Sequence, residues 1–195
     1  MKGLLIVISG PSGAGKSTIT QELLKRNPEY FLSVSATTRK IREGEIDGVH
    51  YYFMTEENFL EKAREDGFLE NANFCGNYYG TPKDKVLEKL NSGINVVLEI
   101  EVQGAMQVKE KYPEGVFVFI LPPSLPELRK RLEGRKTDDP EIIEKRLRVS
   151  RYEIGFAENY DYLVINDNAL KTTEIVENII ISEMYRTKRT INFLK

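Results

Sequence analysis

The sequence predicts an α/β fold in which a parallel sheet is flanked by helices. Three largely aliphatic runs support this prediction, at residues 4–9, 95–100 and 116–121, and a shorter run lies at 162–165. Such runs do not alternate with polar residues, which is typical of strands that are buried on both faces of a parallel sheet. Helical patterns separate them, at residues 17–25, 86–90, 125–133 and 170–188. Alternation of strand and helix favours this fold class.

A first segment interrupts this alternation between residues 31 and 81. It is rich in Tyr, Phe, Thr and Gly, which favours short antiparallel strands, and a helix is expected within it at 56–65. We therefore expect a lobe that is inserted between elements of the sheet.

A second interruption spans residues 125–150, where the charged segment 133–139 separates two helical patterns. Pro140 suits the first turn of a helix, and Asp139 is expected to cap that helix. We expect these residues to form a lid. A length of 195 residues suits a single domain, with its core in residues 1–32, 90–124 and 151–195.

The charge and composition exclude several kinds of partner. Lys and Arg number 28 against 30 Asp and Glu, giving a formal net charge of −2, so no bulk attraction to nucleic acid or anionic lipid is expected. No apolar stretch is long enough to span a membrane, and the run at 1–8 lacks a cleavage pattern for export. Because Cys75, the single cysteine, cannot form an intrachain disulfide, we expect a cytoplasmic protein. The sequence does not choose an oligomeric state.

The strongest motif is G-x-x-x-x-G-K-[ST], which lies between a predicted strand and a predicted helix. Its glycines allow consecutive backbone N–H groups to surround a phosphate at a helix N-terminus. Lys16 is placed to reach the β- and γ-phosphates, and the Ser17 hydroxyl to bind Mg²⁺. The motif predicts a P-loop NTPase core and an ATP site formed by Gly10, Pro11, Ser12, Gly13, Ala14, Gly15, Lys16, Ser17 and Thr18.

A second cluster contains two arginines, Arg39 and Arg42, among hydroxyl side chains. Guanidinium groups bind phosphate through two parallel hydrogen bonds, so the pair could hold a second phosphate. A solvated basic turn has the same composition. The residues alone leave both interpretations open.

Five blocks of sequence, taken together, resemble the guanylate kinase family. Besides the P-loop, they are S-x-S-x-T-T-R-x-x-R-x-G-E-x-x-G-x-x-Y at 33–51, FLE at 68–70 with GNYYGT at 76–81, LEIEVQG at 98–104, and YDYLVIN at 160–166. They follow the family's order over essentially the whole chain. The resemblance implies transfer of the γ-phosphoryl group of ATP to GMP and dGMP, in purine nucleotide metabolism and GMP recycling, with Mg²⁺ as cofactor.

The resemblance also implies a GMP-binding lobe at residues 33–89 and indicates which residues bind GMP. Ser35, Glu70 and Thr81 would face the guanine, and the phosphate would be held by Arg39, Arg42, Tyr51 and Tyr79. A carboxylate suits guanine because N1–H and the N2 amino group are adjacent donors. Glu99 and Glu101 follow a buried strand and are expected beside GMP, with Glu99 also reaching Mg²⁺ through water. The family often has Asp where this chain has Glu101.

On the ATP side, the resemblance implies that Arg135 and Arg146 of the lid contact the triphosphate. Arg131 is expected nearby, and Asn166 is expected to meet the adenine side of ATP. Lys136 stands where the family frequently carries glycine. The residues expected to take part in catalysis are Lys16, Arg39, Arg42, Arg135 and Arg146.

Two other functions fit parts of the sequence. A guanylate-kinase-like module that binds phosphopeptides would not need a working P-loop, whereas this chain retains Gly15, Lys16 and Ser17. A P-loop kinase for another acceptor would not need Glu70 and its hydroxyl neighbours. His50, the only histidine, and Cys75 lack the partners that metal binding or nucleophilic catalysis requires.

Overall fold

The structure is a computed structural model in which residues 2–134 and 139–191 are described. Within those ranges five parallel strands form a central sheet in the order β2–β7–β1–β8–β9. Their bounds are Leu5–Ser9 (β1), Phe31–Leu32 (β2), Val96–Glu99 (β7), Val116–Leu121 (β8) and Tyr162–Ile165 (β9). The predicted α/β class with a parallel sheet flanked by helices is confirmed.

Helices cover both faces of this sheet. On one face lie Lys16–Arg26 (α1) and Ala169–Met184 (α7), and on the other lie Lys83–Asn91 (α3) and Val102–Lys111 (α4). Ile6 and Ile8 of β1 pack on the first face, whereas Leu5 and Val7 pack on the second. Successive side chains of a strand point to opposite faces, so a strand covered on both sides must be apolar throughout.

A second sheet lies between β2 and α3 in the chain. Its strands are Ala36–Thr37 (β3), Tyr52–Phe53 (β4), Phe68–Phe74 (β5) and Asn77–Pro82 (β6), in the order β4–β3–β6–β5, and Glu56–Arg64 (α2) packs beside them. The expectation of antiparallel strands is wrong for β3 and β4, which pair in parallel. The long connection between them returns the chain to the same end of the sheet, as a tight hairpin cannot.

Two helices follow β8 and form an apolar cluster of their own. They are Leu125–Glu133 (α5) and Pro140–Ile154 (α6), and the cluster contains Leu128, Leu132, Ile143 and Leu147. Asp139 occupies the N-cap position of α6, but its side chain makes no capping hydrogen bond. Asp139 therefore stands at the expected position, but the expected capping by its side chain is wrong.

The sequence pattern missed helix α4 and placed the end of α7 too late. Gly104 and the β-branched Val102 stand in the first turn of α4, directly after an apolar strand, and both residues weaken a helical pattern. Helix α7 ends at Met184, and a short helix, Thr187–Thr190 (α8), follows Arg186, whose ψ of 133° is not helical. Among the described residues, no helix combines the length and apolar character needed to cross a membrane.

Candidate active site

The P-loop joins the carboxyl end of β1 to the start of α1 at Lys16. Two of its glycines are required by close approach as well as by positive φ. A Cβ on Gly10 (φ 145°) would lie 2.2 Å from the Ile120 carbonyl oxygen, and one on Gly15 (φ 96°) would lie 2.4 Å from Asn166 Nδ2. The loop is therefore pressed against the ends of β8 and β9. Thr18 is exposed on α1.

Lys16 and Ser17 carry the polar groups at the start of α1. Lys16 Nζ donates to the carbonyl oxygens of Gly10 (2.6 Å) and Pro11 (3.2 Å). Ser17 Oγ donates to Glu99 Oε1 at 2.5 Å, because β7 and β1 are neighbours and their carboxyl ends meet at one edge. A hydroxyl and a carboxylate oxygen thus lie side by side next to the P-loop lysine.

The side chain of Asn166 binds the backbone of the P-loop. Its side chain is 5% exposed, and Nδ2 donates to the Ala14 carbonyl oxygen at 2.8 Å. Arg131 Nη2 donates to the Asn166 carbonyl oxygen at 2.9 Å, and its Nε pairs with Glu127. The side-chain amide of Asn166 is therefore directed at the backbone of Ala14, and its backbone binds Arg131 and the Leu121 carbonyl oxygen.

One of the two arginines expected in a lid contacts the P-loop directly. Arg146 on α6 donates from Nη1 to Ser12 Oγ at 3.2 Å. The other expected lid arginine, Arg135, lies outside the described residues, as does Lys136. The contact of Arg146 brings the helix pair α5–α6 to the phosphate-binding loop.

Three of the four residues expected at the GMP phosphate lie together on the second sheet. The Arg39 guanidinium lies over the Tyr51 ring, 5.4 Å from its centroid, and the Tyr51 and Tyr79 rings are 6.1 Å apart. Hydrogen bonding to the Glu45 carboxylate is the main cause that raises the pKa of Arg39, and Tyr79 adds to it. The side chain of Arg42 is exposed beside this group.

Glu70 is the buried carboxylate of the second sheet, at 8% exposure. Thr81 Oγ1 donates to Glu70 Oε1 at 2.7 Å. Burial raises the pKa of Glu70, the Thr81 hydrogen bonds oppose that rise, and the charge of Glu101 adds to it. A Cβ on Gly104 of α4 would lie 3.0 Å from Glu70 Oε2, so this glycine leaves room for the carboxylate. Ser35 is half-buried beside β3.

Three residues at these sites had no assigned role from the sequence. They are Glu45, Gly104 and Glu153. Glu153 lies on α6 with Oε2 buried and without a hydrogen-bond partner among the described residues. Burial raises its pKa, the Lys16 ammonium opposes that rise, and Glu101 adds to it. Its position in α6 gives no sequence signal, because an acidic residue in a helix is ordinarily solvated.

A cavity of about 870 Å³ lies at the opposite edge of the central sheet, lined by Leu4, Asn95, Tyr30, Tyr112 and Arg189 among others. Ligands of open α/β sheets bind outside the carboxyl ends of the strands. Leu4 and Asn95 precede β1 and β7, so this cavity lies at the amino ends and we do not assign it to the active site.

Comparison with known proteins identifies the family. A family model described as guanylate kinase matches residues 2–183. The chain belongs to the guanylate kinase family. Guanylate kinase from Desulfitobacterium hafniense is 50% identical over 187 residues, covering 96% of this chain and 94% of that protein. Guanylate kinase from Carboxydothermus hydrogenoformans is 54% identical over 188 residues, covering 96% and 92%.

The fold comparison agrees with the sequence comparison. The crystal structure of guanylate kinase from Anaplasma phagocytophilum has a TM-score of 0.75 and 34% identity, covering 96% of this chain and 89% of that one. Guanylate kinases phosphorylate GMP using ATP, and this chain is a nucleoside monophosphate kinase of that kind. The resemblance seen in the sequence blocks is confirmed.

Proposed function

We propose that the P-loop of this guanylate kinase binds ATP with Mg²⁺ and that the second sheet binds GMP, so that the two phosphates meet in one cleft. The observation that carries the proposal is the short segment from Glu99 to Gly104, which touches both sides. Glu99 Oε1 accepts from Ser17 Oγ at the end of the P-loop, at 2.5 Å. Five residues later, a Cβ on Gly104 would lie 3.0 Å from Glu70 Oε2 in the second sheet. The P-loop and the buried carboxylate of the second sheet therefore lie at the two ends of one short segment.

Ser17 and Glu99 suit a magnesium ion. Their oxygens are 2.5 Å apart at the carboxyl edge of the sheet, and hydroxyl and carboxylate oxygens are the hard donors that Mg²⁺ prefers. Ser17 would bind the ion directly and Glu99 through water. Bound Mg²⁺ would offset charge on the triphosphate.

Transfer between two phosphates needs no general base, since the GMP phosphate is already an anionic nucleophile. The protein has to align the reactants and to stabilise charge on the transferring group. We assign this role to five cations, namely Lys16, Arg39, Arg42, Arg135 and Arg146. The contact of Arg146 with Ser12 supports a lid that closes over the triphosphate and excludes water.

The guanine would be read by Glu70, which accepts from N1–H and the N2 amino group. Ser35 and Thr81, which are also expected to face the guanine, carry the hydroxyl groups that could donate to O6. A hydroxyl has one hydrogen to donate, and Thr81 gives its hydrogen to Glu70. We therefore propose that Ser35 is the donor to O6 and that Thr81 orients the carboxylate.

The test is a coupled assay of ADP release with ATP, Mg²⁺ and each nucleoside monophosphate in turn. We expect kcat/KM for GMP to exceed that for AMP by about a thousandfold or more, because AMP presents a lone pair at N1 to the carboxylate and leaves buried groups unpaired. IMP, which keeps N1–H and O6, should be intermediate, and dGMP should be turned over. Comparable rates with AMP and GMP would contradict the guanine site.

A cytoplasmic location remains a further part of the proposal. Cys75 is an exposed free thiol, which suits a reducing compartment. Fractionation of the producing cell, with activity recovered outside the cytosol, would contradict it.

A further inference from the structure

Glu45 holds one edge of the Arg39 guanidinium. Arg39 Nη2 donates to Glu45 Oε1 at 2.6 Å, and Nη1 donates to Oε2 at 3.1 Å. Both side chains are largely shielded, at 13% and 18% exposure. Such a two-bond pair defines the direction of the planar guanidinium as well as its position.

The remaining donors of Arg39 can be counted. A guanidinium has five N–H groups, two on each Nη and one on Nε. Nη1 also donates to the Lys40 carbonyl oxygen at 2.8 Å, so both of its hydrogens are used, and Glu45 takes one from Nη2. What remains is Nε–H and one Nη2–H, which lie on the same side of the group. That edge can form a second two-bond contact with a phosphate. Interaction with Tyr79 is a lesser cause that raises the pKa of Arg39.

The surroundings of the pair keep it in place. Arg39 lies over the rings of Tyr51 (5.4 Å) and Phe53 (5.8 Å), a favourable arrangement for a cation. Glu45 Oε2 also accepts from the backbone N–H of Arg42 at 2.8 Å, so one carboxylate orients the segment that carries both arginines. Its hydrogen bonds to Arg39 and Arg42 lower the pKa of Glu45 to about 2, and it is ionised at any working pH.

We propose that Glu45 is a positioning residue for the acceptor phosphate. Its carboxylate binds Nη1 and Nη2 of Arg39 and thereby leaves the edge formed by Nε and Nη2 directed at GMP. The inference rests on the proposed function of Arg39 as a ligand of that phosphate. Glu45 balances the charge of Arg39, so it adds no attraction for the phosphate, and its contribution is to orient the guanidinium. If Glu45 only competed with the phosphate for Arg39, it would instead weaken GMP binding.

The test compares Glu45→Gln with Glu43→Gln in the full chain. Both remove one negative charge from the same loop, and Glu43 is exposed. We expect Glu45→Gln to raise KM for GMP about tenfold or more and to leave KM for ATP within about twofold. Glu43→Gln should leave both constants near those of the unmodified protein. Glu45→Asp keeps the charge and should restore part of the GMP affinity.

Guanosine separates positioning from general support of the fold, because it carries the base without the phosphate. Its inhibition constant should be unchanged by Glu45→Gln. An equal loss of guanosine and GMP affinity would overturn the proposal in favour of a purely structural role. An unchanged GMP affinity in Glu45→Gln would overturn it by leaving Glu45 without a role in binding. Tighter GMP binding would overturn it by making Glu45 a competitor of the phosphate.

A double-mutant cycle tests whether Glu45 acts through Arg39. In an Arg39→Ala background, Glu45→Gln should cause little further loss of GMP affinity, since the group that it orients is gone. Independent, additive losses would overturn the inference while leaving Arg39 as a phosphate ligand. If Arg39→Ala itself left KM for GMP unchanged, the proposed function of Arg39 would fail, and that outcome is distinct from the failure of Glu45 alone.

Discussion

The donor and acceptor sides of this kinase are built in different ways. The P-loop is one run of residues at the end of a strand buried on both faces, and its proposed ligand groups are largely backbone N–H groups. The proposed acceptor side uses side chains from β5, β6 and the loop after β3, with Gly104 of α4 beside Glu70. Its sheet has two strands of only two residues and a small apolar cluster around Phe59 and Phe68.

This difference teaches where each kind of specificity resides. Backbone groups cradle any triphosphate of the right geometry, so the P-loop identifies the reaction class and not the acceptor. In the proposed function, the acceptor is selected by a few buried polar groups, which are costly to leave unpaired. Mutations on the two sides should therefore differ in which kinetic constant they change.

The largest effect is expected from Glu70→Gln on the acceptor side. The amide N–H₂ would face the donors of guanine, and we expect kcat/KM for GMP to fall by about a thousandfold, with KM for ATP little changed. Glu88→Gln, an exposed position on α3, is the matched control. If Glu70→Gln kept its GMP turnover, the proposal that the second sheet selects the acceptor would be contradicted.

On the donor side, Lys16→Ala should lower kcat by about a hundredfold or more, because charge developing on the transferring group loses its nearest cation. Circular dichroism should show an intact fold. Lys25→Ala, at the exposed end of α1, should leave kcat unchanged. Normal turnover in a folded Lys16→Ala protein would be incompatible with the proposed mechanism.

A smaller effect is expected at Gly104, where helix α4 lies beside Glu70 of the second sheet. Gly104→Ala places a Cβ about 3.0 Å from Glu70 Oε2, and the carboxylate must shift. KM for GMP should rise about tenfold while KM for ATP stays constant. Alanine is the better helix former by about 1 kcal/mol, so thermal stability should not fall in parallel. If Gly104→Ala lowered the thermal stability and weakened the binding of both GMP and ATP, the result would instead indicate a general disruption of α4. Gln103→Ala, the exposed neighbour, is the control.

The smallest effect is a displacement of the pH profile. Glu70 must be ionised to accept from guanine, and burial raises its pKa above the usual 4.5. Affinity for GMP should therefore be full at neutral pH and fall as the pH drops through that raised pKa. Thr81→Val removes the hydrogen bond that favours the ionised form, so the acid limb should move to higher pH. An acid limb of kcat/KM for GMP that does not move in Thr81→Val would contradict this.

Local patterns predicted much of the central sheet and the P-loop. Strands β1, β7, β8 and β9 follow from short aliphatic runs, and the phosphate-binding loop follows from one motif. Helix α4 and the parallel pairing of β3 with β4 could not be predicted, because the helix has a weak local pattern and the pairing depends on where a long connection returns the chain.

In the candidate site, too, some residues could be assigned from the sequence and others could be identified only from the fold. Arg39, Tyr51 and Tyr79 were assigned through the resemblance, and the structure brings them together. The contacts of Glu45, Gly104 and Glu153 depend on side-chain directions that no spacing rule supplies. Arg135 stays a prediction, outside the described residues.

The bond between Asn166 and Ala14 has a consequence for synthesis of the protein. It joins residues that are 152 positions apart in the chain. A ribosome finishes the P-loop motif early, but the amide that supports the loop from beneath emerges only after most of the chain. The contact can form only after both segments have left the ribosome. We therefore expect nascent chains that stop before β9 to carry the complete motif and yet fail to bind ATP.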